Sequence, residues 1–176
     1  MQPDYAETAC PCEGVLQAWQ EDGGTMEAVI LVGLQAAGKS TFYRERFFNT
    51  HIRINLDMLK TRHREHLLLH ACIEMQQSFV IDNTNPTIQA RAVYIGAARA
   101  AGFRVVGYYF PADVAECQQR NAARIGKARV PPQAISATRN QLQVPVYDEG
   151  FDMLYTVQID PQEEFVVREW PVAESS

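Results

Sequence analysis

Four short stretches of this chain carry residues whose types and spacing suit chemistry. Gly33-Leu34-Gln35-Ala36-Ala37-Gly38-Lys39-Ser40, followed by Thr41, fits the pattern G-x-x-x-x-G-K-[ST]. In that pattern glycines let successive backbone N–H groups turn inward around a phosphate, and the start of the next helix adds partial positive charge. The spacing assigns Lys39 to the β- and γ-phosphates of a nucleotide and the Ser40 hydroxyl to Mg²⁺. Lys39 is expected to face solvent or ligand. An acid at the end of a neighbouring strand should serve the same ion. Phe79-Val80-Ile81-Asp82 supplies Asp82, for direct or water-mediated contact.

Two further stretches point from nucleotide binding to phosphoryl transfer. Ile54-Asn55-Leu56-Asp57-Met58-Leu59-Lys60 places Asp57 where a strand enters a helix. A phosphoryl acceptor needs a base near its hydroxyl, and Asp57 is placed for that role if its strand lies near the phosphate loop. Helix capping is the ordinary alternative for such an Asp and is compatible with catalysis. Lys60, one turn on, is positioned to grip an acceptor phosphate. Asn83, Thr84 and Asn85, in Asp82-Asn83-Thr84-Asn85-Pro86, are candidate substrate contacts. The fourth stretch, residues 120–129, holds Arg120, Arg124, Lys127 and Arg129. Arg120 and Arg124 share a face if the helix continues through them. Arginines closing from a lid stabilise the negative charge that spreads over the phosphoryl oxygens during transfer. Arg129 is the weaker candidate.

The elements that must position these groups follow from periodicity. Ala28–Val32 reads as a buried strand ending at Gly33, then residues 39–48 as a helix. Ile52–Asn55 is a second strand, and residues 58–76 a long helix with Leu59, Leu67, Leu68, Cys72, Ile73 and Met75 on its apolar side. Ser78–Ile81 is a third strand. Pro86 opens a helix to about Ala101, stopped by Gly102. Phe103–Phe110 is a fourth strand. Asp113 caps a helix to about Ile125, Pro131-Pro132 opens another to about Gln143, and Met153–Ile159 is the last strand. Strands alternating with helices imply an α/β fold, a parallel sheet with helices on both faces. With the phosphate loop after the first strand, the layout is that of a P-loop NTPase fold with a helical lid. Ligands bind such sheets beyond the carboxyl ends of the strands, where all four stretches fall.

Composition bounds the rest. The chain has 176 residues, 47% of them hydrophobic, with a net charge of −5. That suits one domain, expected over residues 27–160, between an acidic appendage at 1–26 and an acidic tail at 161–176. The middle, residues 28–144, carries fifteen Lys or Arg against seven acids, which suits an anionic ligand. No apolar run is long enough to span a membrane, and Met1–Gly14 does not read as a secretory signal. Four scattered cysteines do not form a disulfide framework, so the expected compartment is the reducing cytoplasm. Cys10 and Cys12 read as part of a free tail rather than a zinc site. His66 and His70 lack a third ligand. Phe47-Phe48 and Tyr108–Phe110 read as core.

In order, GLQAAGKST, NLDMLK, VIDNTNP and QRNAARIGKARVP resemble the polynucleotide 5′-hydroxyl kinase family, over about residues 28–147. The D-N-T-N-P segment with an N-x-D segment upstream is much narrower than the phosphate loop alone. The resemblance implies a kinase that uses ATP and Mg²⁺ and acts on a nucleic-acid 5′ end. It implies Asp57 as general base and lid roles for Arg120 and Arg124. It also implies an acceptor-phosphate contact at Lys60, where an Arg is often found. The chain lacks the D-x-D-G-T phosphatase signature. Rival readings are a kinase for a small metabolite or sugar nucleotide, a regulatory NTPase, and a nucleotide-binding interaction module.

Overall fold

A computed structural model describes residues 26–160, 162 and 164–171. The acidic appendage, apart from Met26, and the Cys10/Cys12 reading lie outside the described residues.

The central strand is β1 (Glu27–Gly33). Its residues from Ala28 to Val32 are all fully buried, because both faces of the sheet are covered. Alternate side chains feed two cores. Ala28, Ile30 and Val32 join Leu69, Cys72, Tyr94 and Ile95 on one face. Val29 and Leu31 join Phe42, Phe47, Cys117 and Ile135 on the other. The strands follow as β2 (Ile52–Ile54), β3 (Phe79–Ile81), β4 (Arg104–Phe110), β5 (Met153–Ile159) and β6 (Phe165–Glu169). Their spatial order is β2-β3-β1-β4-β5-β6. All pairings are parallel except β5 with β6. The α/β architecture expected from the alternation is therefore present.

The sequence reading ended the sheet at β5 and placed residues 165–169 in the acidic tail. They form the antiparallel edge strand instead, with Phe165 opposite Ile159. The Phe165 ring also packs 5.2 Å from that of Phe42. A short strand beside several acids leaves little alternating signal.

The first helix is α1 (Lys39–Arg46). The long helix expected over 58–76 is two: α2 (Leu56–Leu59) and α3 (Arg62–Glu74). The Asn55 side chain accepts from the Met58 N–H, which starts α2 early. Lys60 then takes a left-handed conformation at φ 70°, and the Thr61 hydroxyl caps α3 through the Arg64 N–H. Two side-chain caps six residues apart outcompete one continuous helix. Leu69 reaches the core, whereas Leu67 and Met75 are exposed; so is Phe48.

The remaining helices are α4 (Ile88–Ala100), α5 (Val114–Ala122) and α6 (Pro132–Gln141). α4 starts two residues after Pro86, capped by the Thr87 hydroxyl. The capping by Asp113 is present, but α5 stops at Ala122 and not at Ile125. The segment after α5 is held as a loop by Asn121, whose side chain exchanges hydrogen bonds with both the N–H and the carbonyl of Val130. No helix among the described residues is long and apolar enough to cross a membrane.

Candidate active site

At the carboxyl end of β1 the chain turns sharply into α1. Gly38 has φ 100°, a conformation that strains any side chain, and a Cβ there would press on Ile159 Cδ1 at 2.9 Å. Gly33 lies against the end of β4, where a Cβ would come 3.0 Å from the Phe110 carbonyl oxygen. The Gly33 N–H donates to the Thr84 carbonyl at 3.1 Å, which ties the loop to the segment after β3. Leu34, Ala36 and Ala37 are buried, and Thr41 lines the cleft. Gln35 donates to the Thr138 hydroxyl of α6 at 2.9 Å, while its carbonyl oxygen has no protein partner among the described residues.

Lys39 lines the cleft, on the ligand side of the solvent-or-ligand expectation. It is buried, and its Nζ donates to the Gly33 and Leu34 carbonyls at 2.9 and 2.5 Å. Burial lowers its pKa to about 8, against the pull of the Asp82 carboxylate. The ammonium thus sits under the loop whose phosphate it is assigned to hold.

Ser40 and Asp82 meet as the spacing anticipates. The Ser40 Oγ donates to Asp82 Oδ2 at 2.8 Å. A third residue joins them: Arg53 of β2 donates to the same Oδ2 through Nε at 2.8 Å and Nη2 at 2.5 Å, and through Nη2 to Ser40 Oγ at 3.1 Å. The Arg53 guanidinium lies over the Tyr43 ring at 5.5 Å. The adjacent hydroxyl and buried carboxylate suit Mg²⁺, which keeps several waters and takes one or two protein oxygens plus phosphate. No cluster of three His, Cys, Asp or Glu residues suited to a metal stands among the described residues. Arg53 already holds a positive charge on the Asp82 carboxylate oxygen.

Asp57, Lys60, Asn83, Thr84 and Asn85 line one cleft of about 1000 Å³ together with the phosphate loop. Asp57 is exposed in the first turn of α2. Asn55 performs the capping considered for it, so the Asp57 carboxylate is not committed to that task. Asn83 and Asn85 spend their amides on the scaffold. Asn83 Oδ1 accepts from the Leu56 N–H at 2.9 Å, and its Nδ2 donates to Glu65 at 2.7 Å. Asn85 is buried and donates to the Leu31 carbonyl at 2.8 Å. The Lys60 ammonium folds back onto the Asp57 carbonyl.

The lid arginines separate. Because α5 ends between them, Arg120 and Arg124 do not share a helical face. Arg124 lines the cleft. Arg120 donates to the Ala36 carbonyl at 3.3 Å and to Glu116 at 2.8 Å, behind the phosphate loop. Arg129 is exposed.

Residues 60–145 match a family model described as an AAA domain. The match begins after the phosphate loop, which is carried by its own geometry. The chain is 29% identical over 129 residues to a bifunctional polynucleotide phosphatase/kinase of Schizosaccharomyces pombe, covering 71% of this chain and 32% of that protein. It is 27% identical over 139 residues to a protein of Acanthamoeba polyphaga mimivirus that carries the same name provisionally, covering 74% of this chain and 33% of that one. A gluconokinase from Sinorhizobium meliloti shares the fold at a TM-score of 0.53 and 15% identity, covering 75% of this chain and 82% of that one. The chain has a P-loop NTPase α/β fold. The resemblance to the polynucleotide kinases rests on these relatives, of whose length the chain spans about a third.

In this P-loop NTPase fold, sequence reasoning missed Arg53, Arg62, Glu65 and Tyr94. Glu65 is a fully buried acid in the first turn of α3. It accepts from Arg62 Nη1 at 2.7 Å, Asn83 Nδ2 at 2.7 Å and the Tyr94 hydroxyl at 2.9 Å. Burial and the Glu65 charge push the Tyr94 phenol up to about 12. The only sequence signal was an acid on a helix face otherwise lined by Leu69 and Cys72.

Proposed function

We propose that the protein transfers the γ-phosphoryl group of ATP to a hydroxyl acceptor, a nucleic-acid 5′-hydroxyl. One observation carries the reading: the Asp57 turn opens into the same cleft as Lys39, Ser40, Asp82 and Arg124. The names of the two polynucleotide kinase relatives support the acceptor class.

The residues divide the work as follows. Lys39 and the amides of the phosphate loop hold the donor phosphates. Ser40 and Asp82 would hold Mg²⁺, which supplies charge neutralisation on the phosphate oxygens. Asp57 accepts the proton of the acceptor hydroxyl. The acceptor oxygen forms the new bond to γ-phosphorus as the bond to the bridging oxygen breaks, and ADP leaves. Arg124 faces the charge that develops in this step. Asn83 fixes the Asp57 turn through the Leu56 N–H, so the base is oriented before the acceptor arrives.

Incubation with γ-labelled ATP and a panel of 5′-hydroxyl oligonucleotides, nucleosides and sugar nucleotides tests the reading. Label in the oligonucleotides is the expected result. Label confined to sugar nucleotides, or released only as free phosphate, overturns it.

A further inference from the structure

We propose that Arg62, rather than Lys60, holds the phosphate that adjoins the reacting hydroxyl of the acceptor; this rests on the nucleic-acid reading of the acceptor above. The two cations differ in how they are built. Lys60 sits in a left-handed linker between helices, with its ammonium turned onto the Asp57 main chain. Arg62 is the first residue of α3 and lines the cleft that also holds Asp57. Its side chain is 64% exposed, yet it is anchored at one end. Nη1 alone makes both of its contacts, to Glu65 Oε2 at 2.7 Å and to the Tyr94 hydroxyl at 3.0 Å. Among the described residues, Nε and Nη2 of Arg62 donate to no protein acceptor. These two groups form the edge of the guanidinium that grips two phosphate oxygens at once. The hydrogen bond that the guanidinium donates to Glu65 favours its charged form.

The same Glu65 carboxylate orients the base. It accepts from Asn83, and Asn83 in turn accepts from the N–H of Leu56, the residue before Asp57. One buried carboxylate therefore references both the base-bearing turn and the exposed guanidinium. A ligand that offers a hydroxyl to Asp57 and a neighbouring phosphate to Arg62 matches that arrangement. A nucleoside 3′-phosphate has this chemistry, with the phosphate on the sugar that bears the 5′-hydroxyl. Arg64 does not compete for the role, since it does not line the cleft.

Calorimetric binding of thymidine 3′-monophosphate and of thymidine to the full chain tests the proposal. The parent protein should bind the monophosphate at least about tenfold more tightly, the scale of a charge-assisted hydrogen bond. Arg62→Gln should erase most of that margin and leave thymidine binding unchanged. Lys60→Gln should keep the margin. Arg62→Lys keeps a cation beside Glu65 and so guards against misfolding; it should lose a large part of the margin, because an ammonium lacks the fork. A parent with no margin, or a margin lost in Lys60→Gln and kept in Arg62→Gln, overturns the assignment. Transfer is read separately with labelled ATP. If the monophosphate binds with an Arg62-dependent margin but never receives label on its 5′-hydroxyl, the kinase reading fails and the Arg62 site stands.

Discussion

The Ser40 hydroxyl donates to the Asp82 carboxylate at 2.8 Å, so the two candidate metal-side groups, from α1 and the end of β3, are in contact before any ligand arrives. Arg53 completes this contact on the same carboxylate oxygen, and that oxygen belongs to a residue only 2% exposed.

Replacing Arg53 by Met should therefore uncover the metal preference of the pair. Without a divalent ion the variant should lose about 1–3 kcal/mol, since a buried carboxylate loses its cation. Mg²⁺ should restore more stability in Arg53→Met than in the parent, because binding to the folded state alone raises its stability. Thermal melts with and without Mg²⁺ measure this. Equal Mg²⁺ shifts in both proteins would contradict it.

Lys39 should titrate on nucleotide binding. Its folded pKa is about 8, lowered by burial from 10.5. Between those values the unfolded chain holds the extra proton, so the Lys39 contribution to stability rises with pH through that window and is unfavourable below it. Lys39→Met should thus fold at least as stably at pH 7 while losing phosphoryl transfer. Phosphates placed against Lys39 raise its pKa, so ATP binding at pH 8.5 should take up protons. Calorimetry in buffers of different ionisation enthalpy reads the uptake, which should vanish in Lys39→Met.

The two lid arginines should give different kinetics. Arg124→Ala removes a cation that faces the cleft, and should lower kcat by about 10²–10³-fold with little change in the KM for ATP. Arg120→Ala removes a tether on the Ala36 carbonyl behind the loop, and should chiefly raise that KM. Steady-state kinetics on both variants decide, and a larger kcat loss in Arg120→Ala would reverse the assignment.

The scaffold under the site has its own weak point. Arg91 is fully buried and pairs with Glu149 through Nε and Nη2 at 2.6 and 2.7 Å, while Nη1 donates to the Asn85 and Gln143 carbonyls at 3.0 Å. Glu149→Gln leaves that guanidinium without its counter-charge and should cost about 3–5 kcal/mol in denaturant melts.

How much of this was legible in the sequence varies with the kind of signal. β1 through β5 were readable because apolar runs bounded by turn residues are local. So were the phosphate loop and Asp82, because backbone geometry demands particular residues at fixed spacing. The break at Lys60 was written in Asn55 and Thr61, but their caps competed with a continuous helical pattern. The burial of Lys39 and the Arg62–Glu65–Tyr94–Asn83 network were not readable. Tyr94 lies 29 residues from Glu65, and only the packing of α4 against α3 brings them together. Arg53 carries no local signal; only the sheet order, with β2 beside β3, brings it to Asp82.

The central claim is that Asp57 takes the acceptor proton, and one pair of measurements on Asp57→Asn tests it. The amide keeps the shape of the side chain but accepts no proton. ATP affinity should stay within about twofold of the parent, while single-turnover transfer to a 5′-hydroxyl oligonucleotide falls about 10²–10⁴-fold. Fast single-turnover transfer in Asp57→Asn would contradict the account, most plainly if ATP affinity collapsed at the same time.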